Sequence, residues 1–307
     1  MLAFAKKFAL VLLGLTCVGV VVLVVALIPA HLQVRSVENT IPALDLLDEA
    51  LDAIPAEQYP QEIHFINTAT QAGALGEISH IAVLLRWPDG NAFLIDTGMN
   101  EQEAIDFGKP FQYLGSSPTE TFGPVEEQLG DAVDSIRGIG FTHLHSDHTA
   151  GISRICDALT TPATVFQTNA QNTLHNLHTK DGQKLINDSA CPVALLPQST
   201  LAAIPGFPGL LALPAGGHTP GSTIFVTRMG GETWIFAGDI TNSMADIHTN
   251  RGKGALYSYL LVPEYTKVLE NWRLWLAKQA ARQDVQVLVT HDVDAYRASG
   301  LAELRAP

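Results

Sequence analysis

The sequence predicts an α+β domain, β-sheets carrying helices on their outer faces, placed behind an N-terminal transmembrane helix. Three observations lead there. Strand-like and helix-like segments alternate while hairpin turns recur in both halves, which disfavours a simple doubly wound sheet. Of the 307 residues, 47% are hydrophobic and 16% charged, the composition of a chain with a sizeable buried core rather than a disordered one. Finally, Phe8–Ile28 is a 21-residue run whose only notably polar member is Thr16.

At ~1.5 Å rise per residue a helix of that length spans about 30 Å, the thickness of a bilayer core. Lys6 and Lys7 precede the run and no acidic residue occurs before Glu38. The positive-inside rule then keeps the short tail in the cytoplasm and sends the remainder to the periplasmic or extracellular side. A cleaved signal peptide is the competing reading. Its apolar region is ordinarily only ~7–15 residues, and Ala26–Ala30 offers no clean A-x-A site. Apolar sequence continues well past Cys17, against a lipoprotein. Residues 1–31 are therefore expected to be the anchor (or signal peptide), 32–60 a stalk or linker, and 61–307 the main folded domain.

Within the stalk, Leu44, Leu47, Leu51 and Ile54 at helical spacing predict a short amphipathic helix over 42–54, ended by Pro55. Residues 79–87 and 91–96 are β-prone runs joined by Pro88-Asp89-Gly90, a hairpin turn. Residues 101–122 show little regular pattern and read as a long loop. Pro124 opens a predicted helix over 124–136. Short strands are expected at 138–142 and 163–166, and a second hairpin at 222–238 around Gly230-Gly231. A helix over 263–281 places Val268, Leu269, Trp272, Trp275 and Leu276 on one face, and 284–290 closes as a buried strand.

The 18 Lys and Arg against 31 Asp and Glu leave a formal charge of −13, which repels phosphate backbones and argues against a nucleic-acid substrate. Three cysteines are too few for a disulfide scaffold. Export permits a Cys156–Cys191 disulfide, and two buried thiols are the equal alternative.

The sharpest signal is Thr142-His-Leu-His-Ser-Asp-His-Thr-Ala-Gly151. By composition, three His and one acid in this pattern arise by chance on the order of once in a thousand such chains. Imidazole nitrogens with a carboxylate suit Zn²⁺. His143 and His145, two apart at a strand end, point the same way, and Asp147 and His148 lie beyond the bend. His218 (in Gly216-Gly-His-Thr-Pro-Gly221), Asp239 and His291 also terminate apolar runs, so a β framework can hold all seven over one cleft. Seven ligands divide naturally between two ions with one carboxylate shared.

These residues resemble the metallo-β-lactamase superfamily, whose hallmark is HxHxDH followed by distant His, Asp and His. The resemblance covers roughly residues 60–307 and includes Leu94-Ile-Asp-Thr-Gly98, similar to the family's early D-T-G turn. It implies a four-layer αββα sandwich with the site at one edge. It also implies two zinc ions per chain, one held by His143, His145 and His218, the other by Asp147, His148 and His291, with Asp239 bridging. Gly217 stands where the family often has Pro. Asp147 would orient a metal-bound hydroxide and carry a proton, while Asp96 resembles a residue that steadies a ligand. Asp96 capping its own Thr-Gly turn is the plain alternative.

The resemblance also prunes activities. True metallo-β-lactamases generally lack the bridging aspartate, and flavodiiron proteins typically carry Glu where His145 stands. The full set is similar to glyoxalase II, acyl-homoserine lactonases and phosphodiesterases of the superfamily. Lactonases usually place Tyr three residues after the bridging Asp, where this chain has Asn242. Glyoxalase II needs a basic glutathione pocket, and Arg251 and Lys253 are the only cations near Asp239 in sequence. The expected activity is hydrolysis of a small ester, lactone or thioester. A phosphodiesterase or a mononuclear iron persulfide dioxygenase is the alternative. His31, His64, His80, His175 and His178 have no motif context and are expected in surface or hydrogen-bonded roles. His248 is a candidate to reach substrate, and Tyr257 and Tyr259 are expected in packing.

Overall fold

A computed structural model describes residues 2–37, 40–73 and 76–305. One sheet contains β1 (Glu62–Gly73), β2 (Gly76–Arg86), β3 (Ala92–Ile95), β4 (Glu120–Thr121), β5 (Ile136–Gly140), β6 (Thr164–Gln167) and β7 (Val193–Leu195). The other contains β8 (Ala202–Ala203), β9 (Leu211–Pro214), β10 (Thr223–Met229), β11 (Glu232–Phe236) and β12 (Val285–Leu288). The last strand, β13 (Ala302–Glu303), returns to the first sheet beside β1. The strand orders are β13-β1-β2-β3-β5-β6-β7, with β4 also on β1, and β12-β11-β10-β9-β8.

Period-2 alternation explains why these runs are apolar throughout. In β3, Phe93 and Ile95 face the second sheet while Ala92 and Leu94 face the outer helices. In β11, Trp234 and Phe236 point inward, and Ile235 packs outward with Trp272 and Leu276. Three stacked apolar layers result. One lies between the sheets, one under the helices Val125–Leu129, Ile152–Ala158 and Lys180–Asp188, and one under Leu44–Asp52 and Thr266–Ala280. Close approach of the sheets needs Gly138 and Gly140 in β5, where an added Cβ would lie 2.4 Å from Phe207 and 2.6 Å from Phe225. This is the expected αββα sandwich.

Two predicted elements differ. Residues 101–113 form a helix, Glu101–Tyr113, not a loop. Its start carries a reciprocal capping box between Asn100 and Glu103, and Gly108 lets it press onto Gln71 and Thr119 of the sheet side. The helix predicted over 124–136 stops at Leu129, because Gly130 takes φ 52° and the chain tightens into a 3₁₀ segment, Gly130–Ser135. The N-terminal helix runs Leu2–Arg35, and its Leu10–Arg35 portion is long and apolar enough to cross a membrane.

Cys156 and Cys191 are disulfide-bonded across 35 residues, joining the helix Ile152–Ala158 to the entry of β7. Loop-closure entropy for such a span is worth about 4 kcal/mol. Replacing both cysteines with Ser is expected to lower Tm by on the order of 10 °C in calorimetry. An unchanged Tm would show that the bridge does not constrain the unfolded chain.

Candidate metal centre

The topology brings the key residues to one edge. Strands β3 and β5 are parallel, as are β11 and β12, and β9 runs with β11 because both are antiparallel to β10. The carboxyl ends of these five strands lead into Asp96, His143, Asp239, His291 and His218 respectively. Backbone hydrogen bonds lace the edge together: Asp96 N–H to Gly140 O (2.9 Å), Thr97 N–H to His148 O (2.7 Å), Thr223 N–H to Thr142 O (2.7 Å).

All seven sequence-predicted ligand candidates converge. His143 Nε2 lies 2.9 Å from His145 Nδ1, and His218 Nε2 lies 3.3 Å from the same Nδ1. Asp239 spans the two halves, with Oδ2 3.5 Å from His218 Nε2 and 3.0 Å from His291 Nε2, and Oδ1 3.6 Å from His148 Nε2. Asp147 Oδ2 is 3.5 Å from His148 Nε2 and 3.7 Å from His291 Nε2. Three groups of side chains could each hold an ion: His143/His145/His218, His143/His148/Asp239, and His80/Asp147/His291.

The histidines are oriented from behind. Nδ1 of His143 faces Thr142 Oγ1 (3.3 Å), Nδ1 of His148 faces Asp96 Oδ2 (2.8 Å), Nδ1 of His218 faces Glu264 Oε1 (2.6 Å), and Nδ1 of His291 faces Ser79 O (2.7 Å). Donation of N–H at that nitrogen leaves Nε2 a lone pair aimed into the cluster, the arrangement a metal-ligating imidazole requires. Asp96 also accepts from Thr142 N–H and Oγ1–H, so its role extends beyond capping its own turn. Among the described residues, the buried atoms His148 Nε2 and Asp239 Oδ1 have no hydrogen-bond partner and face each other at 3.6 Å. Unsatisfied buried acceptors pointing at one another are costly unless a cation completes them, so the donor set fits divalent metal.

Four further residues belong to the site. His80 is buried, with Nδ1 3.3 Å from Asp147 Oδ2, which corrects its expected background role; the signal was a histidine inside an apolar strand run. Lys253 is buried with Nζ 2.9 Å from Asp239 Oδ2 and sits over the Tyr257 ring, so the sequence neighbour is a true contact. Glu264, which carried no sequence signal, also accepts from Ser258 Oγ (2.6 Å). The His178 ring lies 5.7 Å from that of His145. His248 is exposed on the helix Met244–Thr249. A cavity of about 410 Å³ beside the cluster is bordered by Asn242, Arg251, Lys253 and Asp292, a size that suits a small molecule.

The charges are coupled. Burial, reinforced by the neighbouring histidines, holds His143 and His145 well below the ordinary imidazole value, so both stay neutral. Burial also opposes charge on His148, but Asp147 and Asp96 outweigh it and keep His148 well above that value. His291 is raised in the same way, burial being outweighed by Asp239. Without metal, these two imidazolium groups neutralise the carboxylates. A divalent ion must therefore displace protons, and affinity rises with pH until both histidines are neutral. Titrating Zn²⁺ into metal-free protein at pH 7 in weak buffer is expected to release at least one proton per chain, read with an indicator dye. No release would contradict a cationic His148.

No curated protein matches the sequence. An N-acyl homoserine lactone hydrolase, solved with N-hexanoyl-L-homoserine at its catalytic metal centre, is similar in fold at 14% identity. Its TM-score is 0.55, covering 78% of this chain and 96% of that one. A probable metal-dependent hydrolase from Staphylococcus aureus is similar at 16% identity and TM-score 0.56, covering 75% and 89%. AidC, a dizinc quorum-quenching lactonase, is similar at 14% identity and TM-score 0.53, covering 76% and 88%. The family model described as metallo-beta-lactamase superfamily matches residues 75–303, a span that runs from β2 to β13 and holds the whole histidine–aspartate cluster. With that span covering most of its length, the chain belongs to the metallo-beta-lactamase superfamily.

Proposed function

We propose that this protein is a membrane-anchored hydrolase, its catalytic domain outside the cytoplasm, that holds two zinc ions and cleaves a small ester, lactone or thioester. The observation that carries the reading is the seven-residue convergence with four histidines oriented from behind. His143, His145 and His218 would hold one ion, Asp147, His148 and His291 the other, and Asp239 would serve both. When bound, such a pair would supply a nucleophile at neutral pH and polarise the carbonyl oxygen under attack. Asp147 orients the attacking water by accepting from it, then passes a proton to the departing oxygen or sulfur. His80, 3.3 Å from the Asp147 carboxylate, fixes the direction in which that carboxylate points. Lys253 holds Asp239 in place from the cavity side and adds positive charge where an anionic product forms. The −13 net charge keeps nucleic acids from the surface.

The test is a hydrolysis screen of the full chain in detergent with zinc, across esters, lactones, thioesters and phosphodiesters, beside metal analysis of the purified protein. Turnover of an acyl substrate with two zincs per chain is expected. Turnover of phosphodiesters alone would replace this reading with the phosphodiesterase one, and a single iron per chain would replace it with the dioxygenase one.

A further inference from the structure

The candidate membrane helix does not stop short of the domain. Leu27, Ala30 and Val34 lie on one face of it and are buried, so its last two turns are packed rather than tethered. His31 Nε2 lies 3.0 Å from Tyr259 O, its ring centroid lies 5.8 Å from that of Tyr259 in a tilted arrangement, and the Arg35 guanidinium lies over the Tyr265 ring. His31 is three residues past Ile28, the end of the apolar run, or about 4.5 Å along the helix. On the membrane-anchored reading, the segment it touches is level with the bilayer edge.

That segment has two faces. Inward, Lys253 reaches Asp239, and Ser258 donates to Glu264, which in turn accepts from His218. Outward, Leu256, Tyr259, Leu260 and Leu261 are exposed, with Leu256 at 68%. The site opens on this side as well: His145 is the one candidate ligand of the seven that is only partly buried. Its ring neighbours His178, whose Nε2 meets Leu261 O at 2.7 Å, next to the exposed Leu177. An apolar rim at the mouth of a polar site, continuous with an apolar helix, is costly in water and stable at a lipid surface.

We infer that the rim formed by Leu177, Leu256, Tyr259, Leu260 and Leu261 is seated in the membrane surface. The metal cleft then opens onto the bilayer, and its substrate is an amphiphile whose acyl chain stays in lipid while its ester, lactone or thioester head enters the site. This rests on the membrane-anchored hydrolase reading and adds the substrate class to it. It also removes the need for a large apolar pocket in the protein, because the bilayer itself holds the chain.

Two measurements test it. The full chain carrying Cys17→Ser and Leu260→Cys is labelled with the fluorophore NBD and placed in phosphatidylcholine–phosphatidylglycerol vesicles. A blue-shifted emission quenched by doxyl-labelled lipids is expected, whereas Asp89→Cys, in the hairpin turn at the opposite end of β3, should report water. Water-like emission at position 260 overturns the seating. So does a blue shift that doxyl lipids do not quench, since that means protein, such as a second copy, covers the rim. In the same vesicles, the ratio of p-nitrophenyl dodecanoate to butanoate turnover should fall about tenfold in Leu256→Ser/Leu260→Ser. An unchanged ratio overturns the amphiphile assignment. If the unaltered chain cleaves neither ester, the hydrolase reading loses support, and the label still decides the seating.

Discussion

Asp147→Asn is expected to lower kcat/KM on the preferred acyl substrate by about a thousandfold, within the range set by loss of a positioned acid–base group. The side chain is buried, and Oδ2 sits among three imidazole nitrogens at 3.3, 3.5 and 3.7 Å from His80, His148 and His291. Burial works against its charge, yet in the metal-free site His148 and His80 pull its pKa well below the ordinary carboxylate value. Asn keeps the shape, removes the charge and cannot take up a proton. Metal content separates the two roles proposed for it. Two ions per chain with slow turnover means that Asp147 works mainly on the proton. A chain that retains one ion means that it works mainly as a ligand. A variant with full metal content and wild-type rate would remove Asp147 from the mechanism.

The same variant should also be less stable without metal. Taking one negative charge from beside the cationic His148 and His291 leaves them only Asp96 and Asp239 as partners, so the loss stays below the roughly 3–5 kcal/mol of a fully broken buried pair. Adding zinc should restore much of that, because the metal displaces the proton from His148. Thermal melts with and without zinc read the difference.

What was legible in the sequence follows from how local each signal is. His143, His145, Asp147 and His148 lie within six positions, so their convergence needs only one strand end and one bend. His218, Asp239 and His291 are legible because each terminates an apolar run, and strands running the same way bring such ends to one edge. The polar support was harder. Glu264 follows Pro263 in an irregular segment and reaches His218 only through the tertiary fold. Strand β1 went unseen because Asn67, Thr68, Thr70 and Gln71 interrupt its alternation, yet all four are buried and hydrogen-bonded near the site edge. The helix Glu101–Tyr113 hid behind Gly108 and Pro110, which lower its propensity, although its Asn100/Glu103 cap was readable. In each miss a polar or small residue serves packing against another element, which a one-dimensional pattern does not show.

Asp96 gives the second large effect, and its sign depends on pH. It holds φ 62°, the left-handed region that Asn and Asp tolerate better than other non-glycine residues. Asp96→Asn therefore leaves the backbone cost nearly unchanged and alters only the acceptors. The carboxylate takes three hydrogen bonds, from Thr142 N–H, Thr142 Oγ1–H and His148 Nδ1–H, at 2.8, 2.7 and 2.8 Å. An amide offers one acceptor oxygen and turns its NH₂ toward another donor. Loss of such support behind a ligating histidine is expected to weaken zinc binding about 10–100-fold, measured by chelator competition. A second effect opposes it. Asp96 helps hold the His148 proton, so the Asn variant surrenders that proton more readily, which favours metal. The opposing gain exists only where wild-type His148 is protonated. The deficit of the variant should therefore be small at low pH and widen as pH rises through the raised His148 pKa. Asp96→Gly, which relaxes the backbone and deletes both acceptor oxygens, should show the same trend with a lower Tm. A deficit independent of pH would mean that Asp96 orients His148 without governing its proton, and no deficit at any pH would reduce Asp96 to the cap of its own turn.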